Sequence, residues 1–88
     1  MAVLTLTVTT KPRRLLVNNP KRKFWAVINA GTVDVYVGHD SNVSTSGKTK
    51  GIPVKANGGM YGDEYYQGEV WAVADSETEA TIVEVSEE

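Results

Sequence analysis

An 88-residue chain with 41% hydrophobic and 23% charged residues is sized for one domain built around one core. It has no cysteine and a single histidine, which excludes disulfide staples, thiolate zinc sites, cysteine nucleophiles and multi-histidine metal cages. The net charge of −2 is unevenly laid out: Lys11, Arg13, Arg14, Lys21, Arg22 and Lys23 lie in a stretch without acids, and nine acids follow Ala56 without a base. That layout predicts charge pairing across the fold, or head to tail with a second copy.

In chain order the periodicity is that of strands. Leu4, Leu6 and Val8 alternate with Thr5, Thr7 and Thr9, and Lys11-Pro12 ends the ladder. Residues 1–10 therefore read as an edge strand or an N-terminal arm. Arg14 to Val17 is a short apolar run before the turn signal Asn18-Asn19-Pro20. Phe24 to Ala30 is nearly continuously apolar and reads as a central strand. Val33, Val35 and Val37 alternate with Asp34 and Tyr36, so Phe24–Ala30 and Thr32–Gly38 are expected to form a hairpin about Ala30-Gly31. Residues 38–51 have loop chemistry, with Val43 as the apolar residue expected to pin the loop down. Pro53 assigns Ile52–Val54 to an edge, and Asn57-Gly58 is a hairpin signal. Val70–Ala74 and Ala80–Val85 are the last strands, and 86–88 reads as a frayed tail. No window shows a helical period. The expectation is an all-β chain: a single small β-sandwich or barrel, residues 1–88, of about seven to eight short, mainly antiparallel strands.

Motifs that resemble chemistry fail on their context. Gly47-Lys48-Thr49 ends like a phosphate-binding loop, but Asn42 stands where that loop needs glycine, and Gly51-Ile52-Pro53 follows in place of a helix. His39-Asp40 offers too few ligands for a metal. Asp63 and Glu64 are adjacent and on a strand would point to opposite faces, unlike a converging carboxylate pair. The chain is therefore expected not to be an enzyme and to use neither cofactor nor metal. No run of about 20 apolar residues exists for a membrane-spanning helix. The N-terminal segment also lacks the basic start of a secretory signal, so synthesis in a cytoplasm without a membrane partner is expected.

What remains is surface. The strand positions Leu4, Leu6 and Val8, the basic residues Arg13, Arg14, Lys21, Arg22 and Lys23, and the aromatics Trp25, Tyr61, Tyr65 and Tyr66 are the candidate interface. Lys21-Arg22-Lys23-Phe24-Trp25 could also clamp phosphates and stack bases, but a pI of about 5.3 argues against a nucleic-acid partner.

The order of segments carries a resemblance. Arg14-Leu15-Leu16-Val17-Asn18-Asn19-Pro20, Val27-Ile28-Asn29-Ala30-Gly31, Val35-Tyr36-Val37-Gly38 and Val43-Ser44-Thr45-Ser46-Gly47 come first. Gly51-Ile52-Pro53, Glu69-Val70-Trp71-Ala72-Val73-Ala74 and Thr81-Ile82-Val83-Glu84-Val85 follow. Taken together, about Arg13 to Val85 resembles small structural proteins of tailed viruses of bacteria and archaea, which are head-decoration, capsid-associated or tail-associated components. The chain departs from the pattern at Lys48-Thr49-Lys50 and over Met60–Gln67. The resemblance implies a capsid decoration protein on the virion exterior, made in the host cytoplasm, whose partner is the major capsid protein. It also implies a homo-oligomer, with a trimer favoured because capsid positions of local threefold symmetry suit a ring. A tail- or fibre-associated binding module and a small nucleic-acid-binding barrel are the alternatives.

Overall fold

The computed structural model describes residues 2–87 and contains eight strands. They are β1 (Ala2–Val8), β2 (Arg13–Leu16), β3 (Arg22–Asn29), β4 (Val35–Gly38), β5 (Ile52–Val54), β6 (Gly59–Asp63), β7 (Val70–Ala74) and β8 (Thr78–Ser86). They build two four-stranded antiparallel sheets, ordered β1-β8-β3-β6 (sheet A) and β2-β7-β4-β5 (sheet B). The fold is a small all-β sandwich: the periodicity predicts the all-β class and leaves sandwich and barrel open, and the two separate sheets decide for the sandwich.

The layers are held by their inner faces. Val8, Trp25, Val27, Ala80 and Ile82 from sheet A meet Leu16, Val35, Val37, Val54, Val70, Ala72 and Ala74 from sheet B in one core. The core is built of small β-branched residues around one large side chain, the fully buried Trp25. Its indole packs edge-on against Tyr61 (ring centroids 5.6 Å apart) and Tyr66 (6.5 Å), and its N–H donates to Asp63 at 3.2 Å. A buried tryptophan needs such an acceptor, because an unpaired indole N–H in the core would be costly.

The connections correct several expectations. Every link except β4–β5 passes from one sheet to the other. Phe24–Ala30 and Thr32–Gly38 are therefore not a hairpin: β3 lies in sheet A and β4 in sheet B. The fully buried Asn29 is the reason. Its amide donates to the carbonyls of Val33 (2.8 Å) and Val54 (2.9 Å), and its side-chain oxygen accepts from Gly31 N–H (3.0 Å). These bonds turn the chain across the core instead of back along its own sheet. Asn57-Gly58 also links two sheets, β5 to β6. It has the positive φ angles of its turn type, 64° and 110°, while its N–H groups bond Gly31 and Asn29 on the β3–β4 link. The strand Gly59–Asp63 is one that periodicity does not signal.

Two terminal expectations also change. Residues 2–8 are not a free arm, because β1 pairs with β8 along its whole length and Val8 is fully buried. At the other end Ser86 closes β8 and Glu87 N–H bonds the Lys21 carbonyl at 2.8 Å, so neither is frayed. Met1 and Glu88, which fall within the expected arm and tail, lie outside the described residues.

The loop after β4 behaves as its composition predicts. Gly47–Thr49 is a single 3-10 turn, and Val43 is buried against Gly38 and Gly51, where a Cβ would approach it to 2.7 and 2.6 Å. Val43 thereby seats the loop on the outer side of sheet B, beside the buried Val73.

Candidate interaction surface

The outer face of sheet A follows from strand alternation and register. It presents Val3 and Thr5 from β1, Thr81, Val83 and Val85 from β8, Phe24, Ala26 and Ile28 from β3, and Met60 from β6. Val3 is 55% and Met60 66% exposed, and Phe24, Ile28, Val83 and Val85 are half-buried among their neighbours. Glu79, opposite Thr7, is the one charge facing outward between the paired strands of the described residues. An antiparallel sheet that faces water on one side normally alternates apolar-in and polar-out. Here Phe24, Ala26 and Ile28 of β3 and the Val83–Val85 end of β8 are apolar on the outer face as well, which is the pattern of a sheet meant to be covered there twice.

The predicted interface residues divide sharply. Val8, Arg22 and Trp25 are buried inside the chain and cannot meet a partner, so they are removed from the candidate interface. Tyr61 and Tyr66 are half-buried against Trp25, and Tyr66 also lies against the His39 ring at 4.2 Å and donates its hydroxyl to the Glu69 carbonyl. Tyr65 is 87% exposed, and Lys21 and Lys23 are exposed. Leu4 is 57% exposed and Leu6 is half-buried at the same edge. The structure thus brings Leu4 and Leu6 together at the β1 edge and scatters the rest.

The arginines of the basic segment are spent within the chain. Arg14 pairs with Glu69 at 3.1 Å, and Arg13 donates to the Thr7 carbonyl at 2.9 Å. Arg22 donates through Nε to Glu84 at 2.9 Å and through its other nitrogens to the carbonyls of Val17, Gly68 and Tyr66. Two of the six bases, Arg14 and Arg22, pair with acids of the chain's last third, Lys11, Lys21 and Lys23 stay exposed, and a phosphate clamp loses both Arg22 and its stacking partner Trp25. Among the described residues no group of His, Asp or Glu side chains is placed to hold a metal.

Electrostatics mark one turn beside this surface. Asp63 is held below its ordinary value of 3.8, chiefly by the Tyr66 backbone N–H, with the Tyr65 N–H and Trp25 indole adding to it. A carboxylate lowered on folding stabilises the fold fully above its unfolded pKa, and that contribution fades as pH falls through the lower folded value. The melting-temperature gap between the wild type and Asp63→Asn is therefore expected to narrow on acidification from about pH 6 to below about pH 3. A gap that stays constant or widens would assign the turn's stability to something other than the carboxylate charge. Glu69 is lowered too, first by the Trp71 indole N–H and then by Arg14.

Val3, Phe24, Ile28, Met60, Val83 and Val85 are absent from the interface predicted from sequence. Their signal was present as the unbroken apolar run of β3, since a strand buried on both faces loses its alternation. Comparison of the chain with protein-family models, with curated proteins and with solved structures gives no match.

Proposed function

We propose that this chain is a virion structural protein, a capsid decoration protein that seats on the major capsid protein at the exterior of the shell and stabilises it as an oligomer. The observation that carries the reading is the apolar outer face of sheet A. Contiguous apolar surface on a small soluble domain marks a contact with another macromolecule. A rigid, pre-formed face loses little entropy when it docks, as a cement that must clamp many equivalent positions requires. The segment order from Arg13 to Val85 supports the same assignment. Sheet A is the seat in this reading, and the loop-covered sheet B faces away.

The test is particle occupancy. Particles from the source, purified on a density gradient, are expected to carry this chain at a fixed ratio to the major capsid protein through moderate salt. A variant carrying Met60→Lys and Val83→Lys, with unchanged melting temperature, is expected to lose occupancy by about tenfold or more, whereas Tyr65→Ala keeps it. Absence of the chain from particles, or full occupancy by the double variant, would overturn the proposal.

A further inference from the structure

Of the four sheet edges, three carry devices that discourage pairing. β2 has Arg13, Arg14 and a register shift between Arg14 and Leu16; β5 is three residues long with Pro53 at its centre; β6 holds two glycines and ends on Asp63. Charges, prolines, bulges and short length are the usual protections of an edge. β1 has none of them. Its seven residues, Ala-Val-Leu-Thr-Leu-Thr-Val, are uncharged, free of proline and paired to β8 without a register shift.

The open backbone groups of this edge can be identified. Thr9 carbonyl accepts from Ala74 N–H and Thr7 carbonyl accepts from Arg13, so these odd-numbered residues point away from β8. Thr5 and Thr81 bring their hydroxyls to 3.4 Å, the close side-chain approach of a non-hydrogen-bonded antiparallel pair. Backbone groups repeat direction every second residue, so the N–H and C=O of Val3 and Thr5 face outward as well. Arg13 already occupies the Thr7 carbonyl, which confines pairing to the Val3–Thr5 segment.

We propose that β1 pairs antiparallel with β1 of a second copy about a twofold axis at Leu4. In this register Val3 lies opposite Thr5 of the second copy, and Thr5 opposite its Val3. Each pair exchanges its N–H and C=O groups, and the Arg13–Thr7 bond is left untouched. Leu4 meets Leu4 of the second copy at the axis, on the side facing sheet B, where the single chain leaves it 57% exposed. Because partners share parity, Val3 stays on the outer face, and the two sheets join into one eight-stranded sheet whose apolar outer faces are continuous. No charge opposes a charge within the paired segment, since Val3, Leu4 and Thr5 are all uncharged. Such a contact is isologous and closes at two copies, in place of the threefold ring that the resemblance implies. It stands whether or not a capsid is the destination.

Light-scattering mass and cross-linking test it on the full chain. The wild type is expected to run at twice its 9.6 kDa at high micromolar concentration, and Leu4→Lys at the single-chain mass with its far-ultraviolet spectrum unchanged. Thr5→Pro removes an outward N–H and leaves the β8 ladder whole, so it too is expected to give a folded monomer. The chain has no cysteine, so Leu4→Cys introduces one thiol, placed within disulfide reach of its mate across the axis. Under mild oxidation it is expected to cross-link at least about tenfold faster than Thr7→Cys, whose mates stand roughly 20 Å apart in this register. A monomeric wild type, a trimer that survives Leu4→Lys, or equal cross-linking of the two cysteine variants would overturn the pairing. Each of these results is independent of particle occupancy.

Discussion

Replacing Arg22 by methionine is expected to cost about 3–5 kcal/mol of folding stability, read from the midpoint and slope of urea unfolding. The guanidinium is fully buried and each of its nitrogens donates: Nε to Glu84, the terminal nitrogens to Val17 (2.6 Å), Gly68 (2.8 Å) and Tyr66. These bonds tie the β2–β3 link and the segment between β6 and β7 to β8. Asn19 joins the same knot through Glu84 and Ser86, and Gln67 returns a bond to the Arg22 carbonyl. Methionine fills a similar volume but leaves the partly buried Glu84 carboxylate without its counter-charge, held only by the Asn19 amide, and strands the carbonyls of Val17, Gly68 and Tyr66. Replacing both members, Arg22→Met with Glu84→Leu, is expected to recover only part of the loss. It removes the orphaned charge but does nothing for the carbonyls of Val17 and Gly68. A single-variant cost below about 1 kcal/mol would show that the knot is not what fixes these links.

Asn29→Asp is expected to destabilise by about 2–5 kcal/mol at neutral pH, two lost donors at about 1–3 kcal/mol for each stranded acceptor. The amide is fully buried with its nitrogen between the Val33 and Val54 carbonyls, and a carboxylate there would set oxygen against oxygen. Burial and the facing carbonyls both favour the protonated acid, so the introduced carboxyl has a raised folded pKa. The folded state then binds the proton more tightly than the unfolded chain. The variant's deficit should therefore shrink as pH falls from neutral toward the unfolded value near about 4. This is opposite in sign to the Asp63 effect, and the two can be read in one series of melts across pH. A deficit that does not vary with pH would mean that the side chain swings out to solvent and the link between β3 and β4 repacks.

Strand identity was legible because each strand carries its burial in its alternation. Leu4-Leu6-Val8 and Val35-Val37 declare a face, Pro53 declares an edge, and Val43 declares the anchor of its loop. Pairing was not legible. Ala30-Gly31 and Asn57-Gly58 have the chemistry of tight hairpins, and what sends both across the core is the Asn29 amide, whose acceptors lie on residues 33 and 54. A side chain that bonds 25 positions away leaves no local trace. β6 was hidden because two glycines interrupt it, and one is needed where it is: a Cβ at Gly62 would come within 2.0 Å of the Trp25 carbonyl. The surface was half legible. Exposed Leu4 sits on a strand of plain alternation, whereas Arg14 and Arg22 look available until the fold brings Glu69 and Glu84 to them.

The passage of nearly every link between sheets has a consequence for how the molecule reaches its native state. A chain of consecutive hairpins can assemble each pair as soon as it is synthesised. Here one of the two inner strands of sheet A, flanked by β1 and β3, is β8, the last of the eight to leave the ribosome. Until it emerges, β1 has no neighbour in its sheet, and β3 has only the glycine-interrupted β6. The loop entropy of nearly the whole chain is spent before the β1–β8 ladder returns anything, which places folding among the slow, non-local β topologies. For that interval the uncharged β1 is exposed along both edges rather than one, and a chaperone or a second nascent chain would find it there.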